Sequence, residues 1–114
     1  MSRIYFGFAL ADSMFVGNVN IARRMLSVEQ VRNLVSQGVE SCLNPSHSAT
    51  IGAMRSRFAI DVAIPETPPR VELDWGDSIV VMGVRGLPRL TDRHEYTEEE
   101  VAGARFSFSI YTVR

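Results

Sequence analysis

A chain of 114 residues with 46% hydrophobic residues has room for one domain, residues 1–114, around one core that needs no staples. Its net charge of −1 and pI of about 6.1 argue against polymeric nucleic acid as a partner, because proteins that coat DNA or RNA are usually basic. No apolar run reaches the roughly 18 residues of a membrane span, and the lone Cys42 excludes an internal disulfide, so the expectation is a cytoplasmic protein with no membrane partner.

In chain order, residues 4–9 (Ile4, Tyr5, Phe6, Gly7, Phe8, Ala9) are β-branched and aromatic and predict the first strand. Asp12 and Ser13 interrupt the apolar stretch, which therefore reads as a strand and not as a signal peptide. Residues 11–17 are expected as a loop and residues 18–25 as extended. Ser27 with Gln30 fits a capping box. Val28, Val31, Leu34 and Val35 follow at helical spacing, and Gly38 is a left-handed stop. Residues 39–43 predict a short strand in which Cys42 is a small buried hydrophobe.

Asn44, Pro45, Ser46, His47 and Ser48 are turn residues. They lead into a second helix marked by Ile51, Met54 and Phe58, with Ser46 or Ser48 as its cap. Residues 59–64 are expected as extended, before Pro65, Pro68 and Pro69 forbid regular structure. Residues 70–73 and 78–84 predict strands on either side of a turn at Trp75, Gly76 and Asp77. Residues 85–95 form a polar, arginine-rich loop. Thr97 with Glu100 is a second capping box, opening a short helix over residues 98–102. Phe106, Phe108, Ile110 and Thr112 alternate with Arg105, Ser107, Ser109 and Tyr111, the pattern of a final strand with one buried face. The expected class is α+β: a single mixed β-sheet of about five to six strands with two to three helices packed against it.

All twelve basic residues are arginine, and there is no lysine. A GC-rich genome produces that bias; so does a need to grip phosphate bidentately, which lysine cannot do. Two stretches concentrate chemistry. The first is Asn44, Ser46, His47 and Thr50 at a helix start, where free amides, the helix dipole, hydroxyls and an imidazole suit a phosphate. The same residues also serve simply as turn and cap. The second is the loop with Arg85, Arg89, Arg93, His94 and Tyr96. Its arginines suit an anion and its tyrosine a base, unless Asp92 and Glu95 neutralise it internally. Arg70, Arg24 and Arg105 are further cations that serve either an anionic groove or the solvated surface. The two histidines and one cysteine show no metal-ligand spacing. Neither a glycine-rich phosphate loop nor a nucleophile elbow is present, so no metal or cofactor is expected.

The order of these motifs resembles the small-protein family that contains the viral type III anti-CRISPR ring nucleases. It runs from Tyr5-Phe6-Gly7-Phe8-Ala9 and the Ser27-capped helix through Asn44-Pro45-Ser46-His47-Ser48-Ala49-Thr50 to Arg70-Val71-Glu72-Leu73 and Asp77-Ser78-Ile79-Val80-Val81. An acidic helix then precedes the last strand. That resemblance covers nearly the whole chain and implies a dimer that binds cyclic tetra-adenylate at its interface. His47 then stands at the catalytic histidine and Arg70 at the strand-head arginine. Other positions depart from the nuclease pattern. Phe8-Ala9-Leu10-Ala11 replaces Asn-Ala-Phe-Ser, Met82 replaces a glutamine, and Gly86 and Arg89 replace an Arg-x-x-Glu pair.

With those polar groups gone and an arginine-rich loop present, the chain is also similar to the phage anti-Thoeris sponges. Those are oligomers that sequester cyclic ADP-ribose isomers, and some of them cyclic trinucleotides. The resemblance implies a homo-oligomeric sponge for a cyclic nucleotide signal, without a catalytic residue. Its ligand contacts would come from Asn44, Ser46, His47, Thr50, Arg70, Arg85, Arg89, Arg93, His94, Arg24 and Arg105. The alternatives are a metal-independent ring nuclease using His47 and a protein-binding inhibitor with no small ligand.

Overall fold

The computed structural model describes residues 2–91 and 93–114, so Asp92 of the arginine-rich loop lies outside the described residues. Five strands form one mixed sheet in the order β2-β5-β4-β1-β3. They are β1 (Ile4–Gly7), β2 (Ile21–Leu26), β3 (Glu40–Ser41), β4 (Ser78–Arg85) and β5 (Arg105–Val113). β1 lies between β3 and β4 and is parallel to both, while β5 is antiparallel to β4 and β2. Tyr5, Phe6 and Gly7 are buried, as expected of a parallel strand covered on both faces.

Three helices complete the α+β fold: α1 (Val28–Gln37), α2 (Ser48–Phe58) and α3 (Glu98–Gly103). Both capping boxes form. The Ser27 hydroxyl accepts from the Gln30 amide at 3.1 Å, and the Ser27 amide donates to Gln30 Oε1 at 2.8 Å. Thr97 and Glu100 repeat the exchange at 3.1 and 2.9 Å. Gly38 closes α1 with φ at 110°, which a residue with a Cβ rarely adopts.

Alternation divides the sheet into two faces. Phe6, Val80, Met82 and Phe108 pack with Val31, Ile51 and Met54 of the helices in the larger core. Tyr5, Ile79 and Val113 point the other way and are covered by Val71 and Leu73, with Met14 and Phe15 alongside. This second cover protects one end of its face. Gly83, Arg85, Arg105 and Ser107, at the other end, are exposed.

Two local expectations are revised. Residues 70–73 are not a strand of the sheet and contribute one isolated bridge, Leu73 to Phe15; residues 59–64, expected as extended, also lie outside the sheet. Their alternation is real, since Ile60, Val62, Val71 and Leu73 are buried, but it reports a covered face and not a ladder. Neither Ser46 nor Ser48 caps α2. The Asn44 side chain instead accepts from the Ser46 amide at 2.9 Å and caps a 3-10 turn, Pro45–His47, with Pro45 in its first turn. His47 then occupies the cap position of α2 without a side-chain cap bond.

Candidate functional site

Because β1, β3 and β4 run parallel, their carboxyl ends open onto one edge. In open sheets of this kind, ligands bind outside the carboxyl ends of the strands. Phe8 follows β1 at this edge, the Asn44 turn and His47 follow β3, and Arg85 ends β4. Arg105, starting the antiparallel β5, comes back to the same edge. The His47 ring is exposed and stands 6.0 Å from the Phe8 ring, tilted by 48°. Among the described residues, no carboxylate or carbonyl bonds to its imidazole. Thr50, in the first turn of α2, is half-buried.

The arginines separate by what holds them. Arg93 donates through both terminal nitrogens to Glu100, at 2.7 and 2.8 Å. With the Thr97 amide it holds the Glu100 carboxyl down at about 2. Arg57 donates to the carbonyls of Val101 and Ala102 at 3.1 and 3.2 Å and lies over the rings of Phe58 and Phe106. Arg55 pairs with Asp61 at 3.0 Å, and Arg23 donates to the Tyr111 hydroxyl. Each of these four guanidiniums has a partner within the chain.

Arg85 and Arg105 are different. They are direct Cα partners at the last rung of the β4–β5 ladder, so both side chains leave the same face. Opposed residues in an antiparallel pair bring their Cβ atoms to about 4.5–5.5 Å, where like charges repel. Among the described residues, neither guanidinium has an acidic partner. With Gly83 and Ser107 they line a surface groove of 360 Å³. A Cβ at Gly83 would meet the Ser107 hydroxyl at 3.0 Å, so the glycine keeps the groove floor clear. The result is a concentrated positive patch on a protein of net negative charge.

The remaining candidates are scattered. Arg89 and His94 are exposed on the loop after β4. Arg70 is 84% exposed beside Glu72, at 3.5 Å, on the segment that covers the face away from the helices. Arg24 sits on the edge strand β2 opposite Ile110, on the helix-bearing side and well short of the rim. Cys42 is half-buried, and burial pushes its thiol up to about 11, so it is inert at neutral pH.

Gly83 and Ser107 escaped the sequence reading. Strand alternation sets each beside one arginine, but only the antiparallel register brings the two pairs together. The sequence reading also missed a cleft of 280 Å³ between α2 and the segment leading into α3, walled by Tyr96.

These features define an α+β protein with one mixed sheet and a cationic carboxyl edge. The chain is similar in structure to B116 of Sulfolobus turreted icosahedral virus (STIV). The TM-score is 0.70 at 15% identity, over 97% of this chain and 99% of that one. At that identity the likeness is one of fold. No family model matches the sequence, and no curated protein matches it.

Proposed function

We propose that this protein is a sponge. It binds and sequesters a cyclic nucleotide second messenger of host immunity, a cyclic ADP-ribose isomer or a cyclic oligonucleotide, without cutting it, and it acts as a homo-oligomer. The observation that carries this reading is the Arg85–Arg105 pair. Two like charges held opposite each other cost stability unless an anion joins them, and a phosphate accepts from two guanidinium forks at once. The fold likeness to a viral protein is in keeping with a phage-encoded device that denies such a signal to its effector.

Sequestration fits the edge better than hydrolysis by His47. Cutting a phosphodiester needs an acid or base held in position and charge stabilised on the phosphate. An exposed imidazole with no orienting partner among the described residues meets the first need poorly. As a hydrogen-bond donor beside Asn44, Ser46 and Thr50, it suits a ligand contact.

The test is to incubate the protein with cyclic oligonucleotides and cyclic ADP-ribose isomers, denature it by heat and chromatograph what is released. Intact ligand in stoichiometric amount is expected, with retention lost in Arg85→Ala and Arg105→Ala and weakened in His47→Ala. Linear fragments beyond one per site, abolished by His47→Ala, would establish a nuclease instead. No depletion of any ligand would overturn the proposal.

A further inference from the structure

The cleft between α2 and α3 has no role in the chemistry described so far. Its floor is one side of α2, with Ala49, Gly52 and Ser56, and its opposite wall carries Glu95, Tyr96 and Glu98. Both walls are tied in place within the chain. Arg57 of α2 bonds the carbonyls at the end of α3, and the Arg93–Glu100 pair with the Thr97 cap fixes its start. The cleft is therefore a standing feature of the fold.

Gly52 has no folding reason to be glycine. It lies inside α2 at an ordinary helical φ, and a Cβ there would meet nothing within 4 Å. Glycine in a helix interior is less favourable than alanine. Its one structural effect is to leave the cleft floor bare, opposite a half-buried tyrosine ring.

The chemistry of the walls selects an occupant. The volume of 280 Å³ is just below the roughly 300 Å³ at which small-ligand pockets begin, enough for one ring system and not for a whole cyclic messenger. Glu95 and Glu98 form no ion pair among the described residues, and as carboxylates they accept hydrogen bonds only. They repel phosphate and favour a neutral ring that carries N–H donors. Tyr96 adds an aromatic surface for it to lie against.

We infer that the Gly52–Tyr96 cleft is a nucleobase subsite, taking a purine by its amino or imino N–H donors, separate from the arginine pair that holds phosphate. The inference rests on the sponge reading and names a second, uncharged part of its ligand.

The test uses uncharged probes on the full chain: adenosine and guanosine, titrated against the ¹⁵N-labelled protein by NMR. Amide shifts centred on Ala49, Gly52, Ser56 and Tyr96 are expected with at least one of the two. Gly52→Leu fills the cleft and raises helix propensity, so it should melt no lower than the parent while weakening nucleoside binding at least tenfold. Tyr96→Ala should weaken it similarly, and Tyr96→Phe should retain it. Arg85→Ala should leave nucleoside affinity unchanged, which separates this site from the phosphate site.

Absence of shifts with both nucleosides, or equal binding by folded Gly52→Leu, overturns the subsite. If Gly52→Leu retains a cyclic messenger as tightly as the parent, the subsite fails while the sponge reading stands. If nucleosides bind at the cleft but no cyclic messenger is retained, the sponge reading fails.

Discussion

The two ends of the same sheet are built on opposite principles. At the amino-terminal end of β1 and β4, Asp77 is 5% exposed and its carboxylate accepts from the amides of Arg3 and Asp74, at 2.8 and 3.0 Å. Its carbonyl accepts from Val113, the Arg3 carbonyl accepts from Ser78, and the hydroxyls of Ser78 and Thr112 meet at 2.8 Å. Each of these groups has its partner inside the chain. At the carboxyl end, two arginines face each other without a counter-charge among the described residues, and a histidine stands exposed at a helix start. An end whose polar groups are internally satisfied is structural. An end that leaves like charges facing each other gives up stability, a cost that the proposed anion would offset.

Substitutions at the two ends should separate these roles, beginning with the largest effect. Asp77→Ala removes the acceptor of two amides and should cost about 2–3 kcal/mol. A fall in the urea midpoint reads the loss, and an unchanged midpoint would mean that the amino end is not the rigid one. At the carboxyl end the sign reverses. Arg105→Glu turns a repulsive cross-strand pair into an attractive one and should gain about 0.5–1 kcal/mol. The same variant should lose nucleotide retention. A variant that is less stable and still binds would dissolve the contrast between the two ends.

Helix α2 joins the comparison through its own termini. It starts at the open rim and closes on Ala59, a non-glycine residue at φ 54°. Ala59→Gly should relieve left-handed strain and gain about 0.5 kcal/mol after the added freedom of the unfolded chain is set against it, seen as a small rise in Tm. Retention of nucleotide should not change.

The smallest effect concerns Glu100, the acid that anchors Arg93 at the carboxyl end. Its folded-state carboxyl is lowered from 4.5 to about 2, chiefly by Arg93 and then by the Thr97 amide. The unfolded chain therefore binds this proton more tightly. The stabilisation is fully present above pH 4.5 and is lost as pH falls from there towards 2. Glu100→Gln should flatten that limb of the stability profile. An identical acid limb in the variant would mean that Arg93 is free for a ligand after all.

Local chemistry in the sequence was enough for the two capping boxes, for β4 and β5, and for the fold class. Each depends on neighbours within a few residues or on a simple period. The strand expected at residues 70–73 failed because burial of every second side chain requires only a covered face, whereas a strand also requires an adjacent backbone edge. Ser46 and Ser48 looked like caps because their hydroxyls suit the role. Asn44 and Pro45 bent the chain first.

The candidate site divides in the same way. The turn around His47 is contiguous and was visible as a motif. So was the richness in arginine, but not which arginines are occupied: Arg93 is bound by Glu100 seven residues on, while Arg85 faces Arg105 across nineteen residues of intervening chain. By itself the sequence determined which segments turn, cap and alternate, because those preferences are short-range. Only the tertiary structure decided which charges meet, because strand register and helix packing are set by the whole core at once.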